Sequence, residues 1–318
     1  MICLVTGAAG FIASHLCRRL LKENFRVVGV DSFNDSYPKW MKEKNIQDIL
    51  QEKNFEFIAQ DLEDVNLKKL LRKVDCVFHL AAQAGVRTSW GENFDVYIKN
   101  NIQATQKLLE AAREIPLKKF IYASSSSVYG HCPSLPMTEK SLLNPLSPYG
   151  VTKLAAEQLC FLYFKNYGIP TTSLRFFTVY GPGQRPDMAF HKFFKAIAEG
   201  KEITVFGDGT QTRDFTYIDD IIEANIASLD KAKIGEVYNI GGGHQEKLKD
   251  IIPLMEKISQ KKIKMKKAER QKGDVPHTFA LIEKARKDLN YSPQTPLLDG
   301  LKEEWIWIQR LYSTRGNN

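Results

Sequence analysis

The first half of the chain alternates short apolar runs with longer amphipathic segments, and this alternation restricts the possible folds more than any other feature. Ile12, Leu16 and Leu20 recur every four residues, which is the spacing of one face of an α-helix. The apolar runs hold few polar residues, as expected for strands buried on both faces of a parallel sheet. Repeated strand–helix–strand units imply right-handed crossovers, so the sequence predicts an α/β fold with a doubly wound parallel sheet of the Rossmann type. The predicted strands are residues 2–5, 26–30, 55–58, 76–80 and 119–123.

Beyond residue 175 the pattern loosens, because prolines and glycines interrupt the chain. An apolar run at 236–240 predicts a late strand that rejoins the first sheet. We therefore expect one domain at residues 1–175, to which 211–240 return, and a smaller C-terminal substrate-binding domain at residues 176–318. A domain placed over the carboxyl ends of the strands forms the cleft in which such folds bind ligands. Helices are predicted at 103–113, 151–167 and 189–199.

Composition excludes several classes of protein. No stretch approaches ~18 consecutive apolar residues, so we expect no membrane span. The N-terminus, MICLVTGAAGF, lacks a basic leader and a small-residue cleavage site, so no export signal is expected. The five cysteines are scattered without the close pairs that zinc needs, which favours reduced thiols in the cytoplasm and no metal site.

The net charge of +8 raises the alternative of a nucleic-acid-binding protein. The basic residues are dispersed, however, apart from a run at 261–272. Within that run, the alternation at 262–266 predicts a half-exposed strand with its lysines in solvent. The sequence holds no nucleic-acid recognition motif, and positive charge also suits an enzyme with anionic ligands.

The first predicted strand runs directly into a turn of small residues, GAAG at 7–10, which opens a helix. Such a turn lets backbone N–H groups approach a pyrophosphate at the positive end of the helix. Asp31 follows Gly10 by 21 residues, at the end of the second predicted strand. A carboxylate there accepts hydrogen bonds from the adenosine ribose and repels a 2′-phosphate, so the pattern favours NAD over NADP.

Polar residues follow the next strands as well. Asp61 and Gln83 come at strand ends that face the same cleft, and Asn100 supports this region. We interpret His79 as a core histidine rather than a catalytic one.

The fifth strand ends in four serines, 124–127, and Tyr149 and Lys153 then open a helix. Their i, i+4 spacing puts both on one helix face, where an ammonium would lower the pKa of the tyrosine and make it a general base.

At this point the sequence resembles a known family, the extended short-chain dehydrogenase/reductases, and in particular the nucleotide-sugar epimerases. The resemblance runs through nearly the whole chain: TGAAGFI at 6–12, the trio of Ser125, Tyr149 and Lys153, and RDFTYIDD at 213–220. LAAQAGVR at 80–87, RFFTVYGP at 175–182 and RPDMA at 185–189 are similar to the UDP-glucuronate 4-epimerases. The resemblance implies NAD-dependent 4-epimerisation of UDP-glucuronate to UDP-galacturonate, in a homodimer formed through the helices at 103–113 and 151–167.

The resemblance and the pattern together assign a set of site residues. Catalytic roles fall to Tyr149 as the base, Lys153 as the group that lowers its pKa, and Ser125 as a hydrogen-bond donor. The expected NAD-binding residues are Gly7, Gly10, Phe11, Ile12, Asp31, Lys42, Asp61, Leu62, Leu80, Ala81, Ala82, Gln83, Asn100, Tyr149 and Lys153. The expected substrate-binding residues are Arg87, Ser125, Ser126, Ser127, Tyr149, Thr178, Arg185, Met188, Phe206, Arg213 and Asp274.

Within the substrate set, Arg185 is the candidate for the sugar carboxylate, and Thr178 could add a hydroxyl contact. The alternatives for Arg185 are a UDP phosphate ligand or a salt bridge within its loop. Arg213 and Arg87 are candidates for the phosphates, and Phe206 for packing on the uracil.

Departures from the family pattern separate the possible reactions. Ala13 replaces the third glycine of the turn, and Ser125 stands where many relatives have threonine. Ser126 and Ser127 stand where the dehydratases and uronate decarboxylases carry carboxylates, so epimerisation is favoured. The alternatives are a 4-epimerase for UDP-glucose or UDP-N-acetylglucosamine, a UDP-glucuronate decarboxylase, and an inactive NAD-binding regulator.

Overall fold

A computed structural model of the chain describes residues 1–269 and 271–313. At its centre lies a seven-stranded parallel sheet, whose strands are β1 (Ile2–Thr6), β2 (Arg26–Val30), β3 (Phe55–Ile58), β4 (Cys76–His79), β5 (Lys119–Ser125), β6 (Thr171–Phe176) and β11 (Val237–Ile240). Their order in the sheet is β11-β6-β5-β4-β1-β2-β3, which confirms the predicted doubly wound α/β fold. The predicted strands agree to within two residues, and the late strand pairs with β6.

The chain first extends the sheet from β1 through β2 to β3 and then crosses back to β4 on the other side of β1. Folds of this type bind ligands at such a reversal, outside the carboxyl ends of the strands. Short two-stranded sheets lie beyond these ends: β7 (Thr178–Tyr180) with β10 (Phe215–Tyr217), β9 (Thr212–Arg213) with β12 (Glu246–Lys247), and β8 (Ile203–Phe206) with β13 (Met265–Ala268).

Helices surround the sheets. In the described residues the α-helices are α1 (Phe11–Lys22), α2 (Lys39–Ile46), α3 (Leu67–Leu71), α4 (Phe94–Tyr97), α5 (Ala104–Ala112), α6 (Pro148–Tyr167), α7 (Ala189–Ala198), α8 (Ile218–Asp230), α9 (Leu248–Ser259), α10 (Glu283–Leu289) and α11 (Leu297–Ser313). Short 3₁₀ turns lie at Arg87–Ser89, Gly91–Asn93 and Ser126–Val128. Within the described ranges, no helix combines the length and apolarity needed to cross a bilayer.

Helix α6 begins three residues before the predicted start at 151, and its cap explains why. The Ser147 side chain accepts a hydrogen bond from Gly150 N at 3.1 Å, and Pro148 occupies the first turn, where its missing N–H is no loss. Gly168, at φ 69°, ends the helix. This early start puts Tyr149 in the first turn of α6, next to the cleft.

Two predicted elements differ from the structure. The helix expected at 103–113 is the end of a longer helical stretch, in which a wide π-helical turn at Ile98–Gln103 joins α4 to α5. The strand expected at 262–266 lies instead at Met265–Ala268, and the predicted inward side chain of Met265 is 57% exposed. The alternation was misleading because β13 pairs only with β8 at the surface and its residues bury no face. Arg270, also in the basic run, lies outside the described residues.

Candidate active site

A cleft of about 910 Å³ opens at the carboxyl ends of the sheet strands. Every residue that the sequence assigns to the cofactor or to the substrate lies on its wall. Asn34, Tyr37, Tyr97 and Asp187, which the sequence argument does not single out, also line it. The cleft therefore brings together residues from both halves of the chain.

The turn between β1 and α1 allows close backbone approach. Gly7 has φ +72°, and a Cβ there would lie 2.9 Å from the backbone N and Cα of Ala81. Gly10 caps α1 without a side-chain hydrogen bond, so the first-turn N–H groups are donors for an anion. These features fit the pyrophosphate of a dinucleotide.

Ala13, which replaces a glycine of the family pattern, is accommodated in the core. Its side chain is 2% exposed and packs among the buried residues of α1 and β1. Space for the small residues of the turn comes partly from Gly29 in β2, where a Cβ would lie 2.9 Å from the Cβ of Ala8. The extra methyl is thus tolerated.

Asp31 is held in a defined orientation at the end of β2. Its carboxylate accepts hydrogen bonds from Ala9 N at 3.1 Å and from Phe33 N at 2.8 Å. Burial raises the pKa of Asp31, while the Lys42 ammonium and the two N–H donors act in the opposite direction. Each carboxylate oxygen accepts one of these bonds and keeps a further lone pair for a ribose hydroxyl.

Lys42 extends from α2 into the same end of the cleft. Its Nζ donates to the backbone oxygen of Asn34 at 2.6 Å and to Asn34 Oδ1 at 2.5 Å, and lies 4.9 Å from the centre of the Tyr37 ring. Burial lowers the pKa of Lys42, whereas Asp31 raises it. Lys42 therefore orders the loop that follows β2, beside the carboxylate of Asp31.

Tyr149 also lines the cleft. Its ring packs edge-on against Tyr97, with the centroids 6.2 Å apart. Ser125 Oγ accepts a hydrogen bond from Ser127 N at 3.1 Å, which leaves its hydroxyl proton free to donate into the cleft. Burial raises the pKa of Tyr149, and the Arg185 charge and the Ser125 hydroxyl oppose that rise.

The expected effect of Lys153 on the pKa of Tyr149 stays a prediction. Lys153 is buried at 3% exposure, and its Nζ lies 4.4 Å from the centre of the Tyr122 ring. Burial lowers the pKa of Lys153 to about 7. Arg185 acts to lower the pKa of Tyr149 against the larger effect of burial, and the Lys153 ammonium lies over the Tyr122 ring of β5.

Arg185 is engaged with its own loop. Its Nε and Nη2 donate to the two carboxylate oxygens of Asp187, both at 2.9 Å, and Nη2 lies 3.7 Å from Met188 Sδ. The loop salt bridge that we considered as an alternative therefore exists. The two N–H groups of Nη1 remain for a further anion. Arg185 also holds the pKa of Asp187 below its ordinary value although burial opposes this.

Four predicted substrate residues meet at the entrance. Arg87 Nη2 donates to Asp274 Oδ2 at 2.7 Å, and its guanidinium carbon lies 4.2 Å from the centre of the Phe206 ring. Arg213 Nη1 donates to the backbone oxygens of Thr212 at 2.8 Å and Pro276 at 3.2 Å. One face of Phe206, which we expected to meet a uracil, is thus covered by Arg87.

Asn101 is a structural member of the site that the sequence argument missed in favour of Asn100. Its side chain accepts from Gln83 N at 2.7 Å and donates to Gln83 O at 3.0 Å and Thr152 Oγ1 at 2.9 Å. Thr152 in turn donates to the backbone oxygen of Tyr149 at 2.8 Å. Asn101 therefore ties the loop after β4 to the first turn of α6. Two adjacent asparagines were the available signal, but only the π-helical turn decides which is buried.

His79 is a core residue, as predicted. It is completely buried and hydrogen-bonded at 2.8 Å to Thr6 and at 2.9 Å to Thr105, and burial lowers its pKa to about 3. Among the described residues there is no cluster of three or more His, Cys, Asp or Glu side chains able to hold a metal ion.

Comparison with known proteins gives consistent matches. The model of the NAD dependent epimerase/dehydratase family matches residues 3–241. A Bacillus subtilis protein described as an uncharacterized UDP-glucose epimerase is 49% identical over 97% of this chain and 98% of its own. The UDP-glucuronate 4-epimerase of Thermodesulfobacterium geofontis is 43% identical over 96% of this chain and 95% of its own. The crystal structure of a Bacillus cereus UDP-glucuronic acid 4-epimerase with UDP-glucuronic acid and NAD is 52% identical, has a TM-score of 0.96, and covers 98% of this chain and 100% of its own.

Proposed function

The chain belongs to the NAD dependent epimerase/dehydratase family, and we propose that it interconverts UDP-glucuronate and UDP-galacturonate by inverting C4 of the sugar. One observation carries the choice of substrate: Arg185 lines the same cleft as Tyr149, and its charge acts on the tyrosine hydroxyl. In a hexuronate the carboxylate is attached to C5, next to the carbon whose hydroxyl reacts. A guanidinium beside the base is therefore where that carboxylate would bind.

The residues around the first turn fit NAD. The Gly7 cradle and the N-terminus of α1 suit the pyrophosphate, and Asp31 suits the two ribose hydroxyls of a cofactor without a 2′-phosphate. Bound NAD supplies reversible oxidation and reduction at C4 and is restored at the end of each turnover. Lys42, Asp61, Leu62, Leu80, Ala81, Ala82, Gln83 and Asn100 complete the wall that would hold it.

Tyr149 performs the proton transfer at the sugar. Its phenolate accepts the proton of the 4-hydroxyl as C4 is oxidised, and the phenol returns it when C4 is reduced. Ser125 donates a hydrogen bond to the same sugar oxygen, whose charge changes during the reaction. The Arg185 charge favours the phenolate, and we assign Lys153 the same effect from the helix face that it shares with Tyr149.

Control of the carboxylate prevents a side reaction. The 4-keto form of a uronate is a β-keto acid, which loses carbon dioxide when the breaking bond aligns with the carbonyl π system. Arg185 and the hydroxyl of Thr178 hold the carboxylate away from that alignment, since guanidinium binds carboxylate in a fixed plane. Ser126 and Ser127 line this region and provide hydroxyls rather than an acid or base for C5.

The nucleotide part of the substrate occupies the entrance. Arg213 and Arg87 bind the phosphates, Asp274 and Met188 line the walls, and Phe206 packs on the uracil. Because Arg87 lies over Phe206, the uracil takes the other face of the ring or displaces the guanidinium. We assign cofactor binding to residues 1–175, with 211–240 returning to them, and substrate binding to residues 176–318.

We also propose that the protein is a cytoplasmic homodimer joined through α5 and α6. Large apolar side chains on α6 are exposed, among them Phe161 at 44% and Leu162 at 50%. All five cysteines are free, which suits a reducing compartment. Sedimentation equilibrium is expected to give twice the chain mass of 36.3 kDa, and Phe161→Glu to give the monomer. A monomeric wild-type protein would contradict the dimer.

Proton NMR of the purified enzyme with UDP-glucuronate and NAD tests the reaction itself. The expected result is UDP-galacturonate as the product, with no net accumulation of NADH. A UDP-pentose or 4-keto-pentose would mean decarboxylation and would overturn the interpretation of Ser126 and Ser127. No reaction with UDP-glucuronate, together with turnover of UDP-glucose or UDP-N-acetylglucosamine, would refute the carboxylate assignment and leave an epimerase of a neutral sugar.

A further inference from the structure

A buried polar network lies directly behind the catalytic residues. Arg175 in β6 and Glu157 in α6 form the one ion pair in the described part of the chain in which both side chains are almost completely buried, at 3% and 1% exposure. Arg175 belongs to the RFFTVYGP motif, to which the proposed chemistry assigns no role for this residue. The position and charge of this pair require an explanation of their own.

Glu157 accepts three hydrogen bonds. Arg175 donates Nη2 to Oε1 at 2.5 Å and Nε to Oε2 at 3.0 Å, and Ser124 Oγ donates to Oε2 at 2.5 Å. Ser124 immediately precedes Ser125 at the end of β5. Glu157 therefore joins α6, which carries the base, to the strand end that carries the hydrogen-bond donor.

Arg175 extends the network to the other side of the site. Its Nη1 donates to the Tyr129 hydroxyl at 2.8 Å, and that hydroxyl donates to Asn239 Oδ1 at 2.6 Å. Tyr129 follows the 3₁₀ turn at Ser126–Val128, whose serines line the cleft. The network thus connects β5, β6, β11 and α6 beneath the reacting end of the cleft.

Helical spacing also places Glu157 next to the lysine of the site. Tyr149, Lys153 and Glu157 follow at intervals of four residues, so they lie one above another on a single face of α6. Glu157 raises the pKa of Lys153, against the larger effect of burial. The carboxylate therefore acts on the charge of Lys153 as well as on the position of the helix.

The other titratable groups that act on or contact Lys153 are uncharged at neutral pH. Burial raises the pKa values of Cys160 on α6, Tyr122 on β5 and Tyr149 itself above their ordinary values. His79 on β4 has a pKa lowered to about 3 by burial and by the Lys153 charge. Among the groups that act on Lys153, the charged one is therefore Glu157, which is ion-paired with Arg175.

We propose that Glu157 is a positioning residue for the epimerisation, which fixes α6 against the end of β5 and places a carboxylate one helical turn from Lys153, where it favours the ammonium. Only the expected effect on catalysis rests on the proposed function; the expected effect on the pKa of Lys153 does not. In the proposed mechanism the reactive form of Tyr149 and Lys153 is the one with a phenolate and an ammonium. Loss of the Glu157 charge favours the unreactive form with a phenol and a neutral amine.

The test compares two variants that break the same ion pair, Glu157→Gln and Arg175→Gln, in the full chain saturated with NAD. The pKa of Lys153 is measured by NMR in protein with ¹³C-labelled lysine, and Lys153→Arg identifies the signal. Removal of an opposite charge within a few ångströms shifts a pKa by ~1 unit or more. Glu157→Gln is therefore expected to lower the pKa of Lys153 by about 1 unit, and Arg175→Gln to leave it unchanged or raise it.

The pH dependence of kcat is expected to shift in the same direction as the pKa of Lys153. In Glu157→Gln the acidic limb of the kcat–pH profile for UDP-glucuronate moves to lower pH, because the first proton leaves the Tyr149–Lys153 pair more easily. Its plateau falls about tenfold, as expected for a shift of ~1 unit in favour of the unreactive form. In Arg175→Gln the limb stays in place or moves to higher pH.

Either single variant leaves a buried charge without its partner and could fail to fold, so the double variant Glu157→Gln/Arg175→Gln completes the test. Its Lys153 pKa is expected to lie below that of the wild type, because Glu157 acts on Lys153 more strongly than Arg175 does. Equal shifts in the two single variants, or an unchanged pKa in the double variant, would overturn the proposal. If the wild type fails to epimerise UDP-glucuronate, the proposed function falls, while the NMR titration still decides the role of Glu157.

Discussion

Replacing Tyr149 with phenylalanine is expected to lower kcat for UDP-glucuronate by about 10³-fold, within the ~10²–10⁴-fold range that general acid–base groups contribute. The ring remains, so its edge-on contact with Tyr97 is kept, and only the group that accepts the sugar proton is lost. NAD binding should be unchanged, because the substitution leaves the Gly7 turn and the hydrogen bonds of Asp31 as they are. Stopped-time NMR or chromatographic assays give kcat, and titration of the protein with NAD gives its affinity.

Tyr163→Phe serves as the matched control for this substitution. Tyr163 lies on the same helix, but its hydroxyl donates to Glu110 at 2.8 Å, and in the described structure it is not part of the cleft wall. Its removal is expected to cost about 1 kcal/mol of stability at most and to leave kcat near the wild-type value. Residual activity of Tyr149→Phe above about a tenth of the wild type would be far outside the range for a general base and would show that another group takes the proton.

The second large effect is expected for Arg185→Ala, as a change in substrate preference. Each hydrogen bond from a charged donor contributes ~1.5–3 kcal/mol, and ~1.4 kcal/mol corresponds to tenfold in rate. The variant is therefore expected to lose about 100-fold in kcat/KM for UDP-glucuronate relative to UDP-glucose. A UDP-pentose is expected among its products, because the carboxylate is no longer held out of alignment.

The ratio of the two substrates is the quantity to measure, because Arg185 also acts on Tyr149. Its charge lowers the pKa of Tyr149, so the variant raises that pKa and loses phenolate with both substrates at neutral pH. Asp187→Asn is the control: it removes the same salt bridge, keeps the guanidinium, and is expected to keep the preference for UDP-glucuronate. The substrate preference of Arg185→Lys should lie between those of Arg185→Ala and Asp187→Asn, because an ammonium does not reproduce the planar donor pair of a guanidinium. Equal losses with both substrates would refute the role of Arg185 in carboxylate binding.

Strand positions were predictable because the signal is local. An apolar run bounded by turn residues marks a strand that is buried on both faces, and all five early strands fall within two residues of their predicted bounds. Met265 shows where the same reasoning is misled, since alternation predicts burial only when a neighbouring element covers one face. Nothing in the sequence states that β13 pairs with β8 alone at the surface.

Helix boundaries were less predictable, because caps and irregular turns decide them. Ser147 and Pro148 start α6 earlier than its apolar pattern does. The π-helical turn at Ile98–Gln103 changes which of Asn100 and Asn101 is buried, and it is Asn101 that reaches Thr152. Both features shift the side chains around Tyr149 without leaving a periodic trace in the sequence.

The amino-acid sequence alone specifies the doubly wound fold and the nucleotide-binding turn, through periodicity, turn chemistry, and the rule that the ends of parallel strands meet at one edge of the sheet. The substrate residues were assigned through the resemblance to the nucleotide-sugar epimerases, and Asn34, Tyr37, Tyr97 and Asp187 join the cleft wall only in the structure. The partners of each charge are decided only by the tertiary structure: Arg185 with Asp187, Arg175 with Glu157, and Lys153 over Tyr122. Charge interactions depend on distance and on the loss of solvent, and residues far apart in the chain acquire both only when the fold packs them together.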